Sequence, residues 1–204
     1  PDLEPIRTYL ASNPALFLAR ALGLRGPATT LANACSSGTD AIGLAKQWIE
    51  QGLCDVALAG GADELSRIPT IGFARLLISS REPCRPFDRN RKGLNLGEGA
   101  GVVLLEKADR AKERGASLLA TVRGYATFAD AYHPTAPHPE GIGLRRAVTT
   151  ALKKAAASAN DISFINTHGT STPDNDRIEA AVLSSIFPEG LPIVSTKAFT
   201  GHTL

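Results

Sequence analysis

Several things are scarce in this chain of 204 residues, and each scarcity excludes something. It lacks a charge excess: 22 basic against 20 acidic residues leave +2, which supplies no global drive toward nucleic acid or an anionic membrane. It lacks apolar stretches of spanning length, since none approaches the ~20 residues of a membrane helix, and no signal peptide is visible. Cysteine is sparse: three, odd in number and widely spaced, which argues against a disulfide framework and for a reducing cytoplasm. Cys54 and Cys84 have no CxxC partner or neighbouring histidine, so no metal site is expected and both read as structural. The chain starts at Pro1 rather than Met and stops just after a Gly–His pair, so a piece of a longer protein is expected. What remains is an ordinary globular composition, 43% hydrophobic, enough for one sizeable core.

Taken in order, Asn13–Pro14 reads as N-cap and first residue of a helix over Pro14–Leu22 that ends at Gly23. Thr29–Asn33 predicts a strand, and Ser37–Gln51 an amphipathic helix closed by Gly52. Asp55–Ala59 predicts a short, fully buried strand stopped by Gly60–Gly61. Ile68–Ser80 predicts a short helix and loop, and Arg81–Lys92, broken by Pro83 and Pro86, an irregular connection. Gly97–Gly101 precedes the strand Val102–Glu106; a dinucleotide fingerprint would run strand, glycines, helix, so close backbone packing is expected instead. A helix over Ala108–Arg114, a strand over Leu118–Tyr125 and a long loop over Thr127–Gly141 follow. The pattern then gives a helix over Gly143–Ala157, a buried strand over Ile162–Asn166, a helix from Thr172–Pro173 to about Phe187, and a last strand over Ile193–Ser195. Strands alternating with helices predict a largely parallel sheet with helices packed on it.

The chemistry centres on Thr29–Ala41, TTLANACSSGTDA. It places Cys35 where a strand turns into a helix N-terminus, whose unpaired N–H groups and dipole favour a thiolate. Small neighbours admit a carbonyl to the sulfur. The plainer role, a buried cysteine acting as a small hydrophobe, is the commoner one for any single Cys. His168 in INTHGTSTP and Lys197 in STKAFTGHTL also follow predicted strands, and His202 lies five residues after Lys197. Sites in parallel sheets form beyond the carboxyl ends of strands, so one nucleophile, two histidines and one ammonium are expected on a common sheet edge. Thr170, Ser171 and Thr172 also read as a turn with an N-cap. Asp176 and Glu179 stand where a helix dipole favours acids in any case.

Together these segments resemble the elongating β-ketoacyl-acyl carrier protein synthases, the condensing enzymes of bacterial fatty acid synthesis, which are related to polyketide ketosynthase domains. The resemblance rests on TTLANACSSGTDAIG, DVALAGGAD, RPFDRNRKGLNLGEGAGVVLLE, INTHGTSTPDND and STKAFTGH, in the family's order from about Leu24 to Leu204. It implies an α/β, thiolase-like fold with layers α-β-α-β-α, incomplete in this chain. About 1–125 would be the end of an N-terminal half carrying the Cys, and about 126–204 the start of a C-terminal half carrying the His and Lys motifs. It implies that Cys35 takes an acyl group from acyl carrier protein as a thioester. His168 and His202 would bind the malonyl thioester carbonyl and assist decarboxylation, and the resulting carbanion would attack the acyl-Cys35 thioester. Lys197 would order the second histidine, with Glu179 as its acidic partner and Asp176 in support. Thr170 and Thr172 would bind the pantetheine arm, and Ala131–Pro137, with His133 and Thr135, would form a mobile entrance loop.

No cofactor is implied beyond the phosphopantetheine of the carrier protein. The resemblance also implies a cytoplasmic homodimer. Leu94 stands where Phe is usual in the family and Asn175 where Gly is usual, so the acyl pocket is expected to differ. Cys35 itself argues against the non-condensing chain-length-factor relatives. A Cys–His hydrolase or plain acyltransferase would leave the second histidine and Lys197 without a use. A coenzyme A thiolase is disfavoured by THGT with STKxxTGH. A polyketide ketosynthase, or an inactive fragment that only binds carrier protein, remains open.

Overall fold

A computed structural model describes residues 14–133 and 135–203, so the expected N-cap at Asn13 lies outside the described residues, as does Pro134 of the expected entrance loop. The described chain divides into two compact units. One runs to Gly61 and includes Gly101–Thr121; the other takes in Ala62–Ala100 and everything from Val122 onward.

In the first unit, helix α1 (Pro14–Ala21) is followed by Gly23 at φ +65°, the left-handed stop that glycine accepts without strain. A 3₁₀ turn at Ala34–Ser36 runs directly into α2 (Ser37–Glu50). Helix α2 buries Gly43, Ala45 and Ile49 and closes at Gly52, φ +73°. Strand β1 (Val56–Asp63), in this unit as far as Gly61, pairs with β2 (Gly99–Glu106), in this unit from Gly101, and α4 (Ala108–Glu113) follows before Gly115 at φ +73°. Ala19, Ala45, Ile49, Ala59 and Ala111 form its small core.

In the second unit, α3 (Arg67–Arg75) precedes an irregular stretch to Gly97. After the long loop come α5 (Ile142–Lys154), β3 (Ile165–Asn166), α6 (Pro173–Ile186), β4 (Ile193–Val194) and α7 (Lys197–Thr200). Strands β3 and β4 are parallel, with Ile165 opposite Ile193 and Asn166 opposite Val194. Cys84, Leu94, Ile178, Val182 and Leu183 are its buried apolar residues.

Several expected elements differ. Thr29–Asn33 and Leu118–Tyr125 are not strands: their β-branched pattern suits a pleat, but a strand exists only with a hydrogen-bonded neighbour, and none of the described strands pairs with them. Leu119 is accordingly 97% exposed. The strand expected over Ile162–Asn166 shrinks to two residues, with Phe164 exposed. Strand β1 is neither fully buried nor stopped by its glycines: Val56 and Leu58 are exposed, because a two-stranded ribbon leaves faces open, and the strand runs on to Asp63.

Gly60 is there for space. A Cβ on it would sit 2.0 Å from the Gly101 carbonyl oxygen, so the GG and GAG segments are matched where the two strands touch. Gly60→Ala is expected to cost about 1–3 kcal/mol, as overpacking does, read as a lowered urea midpoint with an unchanged slope. Gly97, in the second unit, has the same reason, with the Thr200 carbonyl oxygen 2.0 Å from its absent Cβ. The close backbone packing expected of Gly97–Gly101 is therefore found.

Candidate active site

Cys35 lies in the 3₁₀ turn at the start of α2 and is exposed; Cys54 is half-buried and Cys84 buried. No strand precedes Cys35, but the turn is braced in another way. Ala34 takes φ +51°, a left-handed conformation that costs a non-glycine residue on the order of 1 kcal/mol. Ser37 Oγ accepts the Asn33 amide (2.7 Å) and donates to the Ala34 carbonyl (2.7 Å). The buried Asp40 carboxylate accepts from Asn33 Nδ2 (2.6 Å) and Ser36 Oγ (2.7 Å). The hydroxyls of Ser36 and Ser37 thus hold the loop across the thiol, a role that their small size alone does not announce. Asn33 and Asp40 belong to this site and were missed as functional in the sequence; their signal is a helix-start pattern, Asn-x-x-Ser with Asp one turn on.

His168 comes two residues after β3 and Lys197 three after β4, so both stand beyond the carboxyl ends of a parallel pair, as the sequence suggested. The ladder is extended by the Thr167 amide and hydroxyl, both donating to the Val194 carbonyl (2.8 and 2.9 Å), and by Ser195 Oγ donating to the Gly169 carbonyl (2.8 Å). Gly169, at φ +42°, has Ser195 2.6 Å from where a Cβ would be, so only glycine fits between the two strand ends. His202 comes from a different direction. Its amide donates to the Asn95 carbonyl (2.8 Å) and its carbonyl accepts the Gly97 amide (2.9 Å), which seats it on the segment before β2. The two imidazoles meet edge to face, centroids 5.5 Å apart at 85°, and Phe73 lies 6.4 Å from His202.

Burial and the nearby Lys197 ammonium push both imidazoles down to a pKa of about 4, His168 being lowered further by His202. Both are therefore neutral at neutral pH, each with one ring N–H to donate. Depressed histidines bind fewer protons folded than unfolded between about 4 and the ordinary 6.5. Their contribution to stability is full above 6.5 and is lost as pH falls toward 4. Urea unfolding at a series of pH values is expected to show stability declining from pH 7 to pH 4, with a shallower decline in His168→Gln. An equal decline in that variant would assign the effect elsewhere.

The acids of α6 point inward. Glu179 accepts the backbone amides of His168 (2.7 Å) and Gly169 (2.8 Å), and burial pushes its carboxyl up while those amides pull it down. Asp176, 1% exposed, accepts the amides of Ser171 (3.1 Å) and Phe87 (2.7 Å) and faces Arg91 Nε at 3.5 Å. Both had a sufficient explanation as helix-start acids; the structure gives them the turn between β3 and α6 to hold. Thr170 is buried, and its hydroxyl is hydrogen-bonded to that of Thr172 (2.8 Å). Arg91 and Asn95, also missed, clamp this turn and its neighbourhood: Arg91 donates to the carbonyls of Thr172 and Pro173, and Asn95 Oδ1 accepts the Cys84 amide. No local pattern marks either residue, because their partners lie far away in sequence. In the long loop, exposed His133 accepts the amides of Thr135 (3.1 Å) and Ala136 (3.0 Å) on Nδ1.

Comparison with known proteins gives this arrangement a family. Residues 3–111 match the family model for the β-ketoacyl synthase N-terminal domain, and residues 119–204 the model for the C-terminal domain. The chain is 38% identical over 192 residues to a 3-oxoacyl-[acyl-carrier-protein] synthase 2 of Staphylococcus aureus, covering 90% of this chain and 48% of that one. It is equally identical, over its full length and 50% of the relative, to a putative polyketide β-ketoacyl synthase 1 of Streptomyces cyaneus. Among solved structures, a ketosynthase of Xenorhabdus doucetiae, in complex with its chain length factor, superposes with a TM-score of 0.87 at 39% identity, over 99% of this chain and 53% of that one. The fold is thus the thiolase-like fold of ketosynthases, and the chain spans about half the length of the relatives it matches. Matched by both domain models of the family, one after the other, the chain belongs to the β-ketoacyl synthases.

Proposed function

We propose that the protein catalyses decarboxylative Claisen condensation of an acyl group, held as a thioester on Cys35, with a malonyl group on acyl carrier protein. The observation that carries this reading is the pair of neutral imidazoles, half-buried His168 and buried His202, beside the Lys197 ammonium. Two neutral N–H donors suit a thioester oxygen that becomes an enolate oxygen, the work of an oxyanion hole. The Cys35 thiolate attacks the acyl thioester and expels the carrier's pantetheine thiolate, which takes up a proton. The malonyl carboxylate then leaves as CO₂, its C–C bond electrons forming the enolate whose oxygen His168 and His202 hydrogen-bond. The enolate carbon attacks the acyl-Cys35 carbonyl, and collapse of that adduct releases the β-ketoacyl product and the Cys35 thiolate. No proton is abstracted from carbon, so no catalytic carboxylate is needed. Burial and Lys197 keep the imidazoles neutral, and Glu179 and Asp176 hold the turn that carries His168.

Carrier protein is the delivering partner and pantetheine the arm met by Thr170 and Thr172, with the His133–Thr135 loop at the entrance; no further cofactor takes part. A neighbour among solved structures is a type II polyketide ketosynthase in complex with its acyl carrier protein, which supports that partner. Fatty acid synthesis is the pathway we favour; the Streptomyces relative keeps the polyketide reading as the alternative. Among the described residues no helix is long and apolar enough to cross a membrane. We place the protein in the cytoplasm, as a homodimer. The test is mass spectrometry after incubation with acyl-carrier protein, followed by CO₂ release from malonyl-carrier protein. Acylation with CO₂ release supports condensation; acylation with hydrolysis but no CO₂ release overturns it in favour of a hydrolase or simple acyltransferase. Neither reaction leaves carrier binding alone.

A further inference from the structure

Two carboxylates buried within one helical turn of each other, Asp176 and Glu179, repel unless something stands between them. Asn175 does so. Its Nδ2 lies 3.1 Å from Asp176 Oδ1 and 3.3 Å from Glu179 Oε2, and a primary amide has one hydrogen for each. Every oxygen in the cluster has a task. Glu179 Oε1 accepts the His168 amide, and Oε2 accepts the Gly169 amide; Asp176 Oδ1 accepts the Ser171 amide, and Oδ2 the Phe87 amide. Three of the four backbone amides from His168 to Ser171 therefore end on two carboxylates, and Asn175 donates to one oxygen of each.

We propose that Asn175 is a positioning residue for His168: by bridging Asp176 and Glu179 it fixes the Glu179 carboxylate under the His168–Gly169 backbone, and so fixes where the imidazole starts. An asparagine in the first turn of a helix commonly turns outward or bonds its own backbone. Here the side chain reaches two acidic neighbours on its own helix. Position by backbone matters because the His168 ring meets His202 edge on, from a segment that His202 does not share. That this imidazole acts in catalysis rests on the condensing reading above; that Asn175 sets its backbone does not.

The charged and titratable groups around Glu179 are Asp176 on its own helix, His168 on the preceding turn, Lys197 acting on His168, and Arg91 facing Asp176 from the 85–92 segment. The experiment follows the ¹H–¹⁵N signals of His168 and Gly169 through a pH titration, with hydrogen exchange measured on the same amides. In the unaltered protein both signals move together as Glu179 titrates. In Asn175→Ala, and in the size-matched Asn175→Leu, the midpoint is expected to rise by about one unit, with exchange at His168 and Gly169 about tenfold faster. Asn175→Asp, which keeps the shape and replaces two donors by a third carboxylate, is expected to fold poorly at pH 8 and to recover toward pH 5. An unchanged midpoint and exchange rate in Asn175→Ala and Asn175→Leu overturns the proposal, whatever Asn175→Asp does. Because the readout is a backbone amide, it stands or falls separately from carrier-protein chemistry.

Discussion

Cys35→Ala is expected to abolish acyl transfer from carrier protein, removing the acyl mass adduct and lowering condensation by about 10³-fold or more, the scale on which loss of a covalent nucleophile is felt. The same variant should still release CO₂ from malonyl-carrier protein, since that step needs a stabilised enolate oxygen and not a thiol. His168→Ala separates the steps in the opposite sense: the Cys35 adduct should form, while CO₂ release falls by about 10²–10³-fold, as when one oxyanion donor is removed. The split is what a condensing enzyme requires. A hydrolase with a Cys–His pair would lose acylation in both variants, because its histidine activates the thiol. Cys54→Ala and Cys84→Ala serve as controls: one is half-buried and the other buried, its thiol donating to the Thr170 carbonyl at 3.7 Å and pushed up in pKa by burial. Retention of the adduct in Cys35→Ala would end the assignment of the nucleophile.

How much of this was legible in the sequence depended on distance along the chain. Where a signal and its cause lie within one turn, the sequence was sufficient. Pro173 at the start of α6, Gly23, Gly52 and Gly115 after their helices, and His168 and Lys197 after β3 and β4 are all local facts. The histidine and lysine motifs are short because a strand end and the turn after it are short. Where a partner is remote, the pattern misled. Thr29–Asn33 and Leu118–Tyr125 carry the side chains of strands, yet the described strands offer them no ladder. Gly60–Gly61 carries the composition of a stop, yet lies inside β1 because Gly101 comes up against it. Asp176 shows the same limit most clearly. Its position invited a dipole explanation, and its main backbone partner, Phe87, is 89 residues away. Such a contact leaves no mark in either segment.

Asp176→Ala should accordingly be among the most damaging single changes in the second unit, and its damage should reach the candidate site. The carboxylate is 1% exposed and accepts two backbone amides, from Ser171 and Phe87. Both residues hold left-handed φ values, +66° and +63°, without being glycine. Each such conformation costs on the order of 1 kcal/mol and persists only where its surroundings enforce it, and one carboxylate enforces both. Truncation to alanine orphans the buried Ser171 N–H and the half-buried Phe87 N–H, and takes the counter-charge from Arg91, whose guanidinium otherwise ties the Thr172 and Pro173 carbonyls to the 85–91 segment. Loss of one partner from a buried, hydrogen-bonded charge cluster costs about 3–5 kcal/mol, to be read as a lowered urea midpoint. Asp176→Asn keeps the volume and one acceptor oxygen but turns an NH₂ toward a donor, so it should cost less than alanine and still more than a surface change. If the cluster acts as a clamp on the turn, Arg91→Ala combined with Asp176→Ala will cost less than the sum of the two, because either change alone already releases the other side chain. Additive costs would mean that the two residues stabilise the protein independently, and the clamp would have to be abandoned.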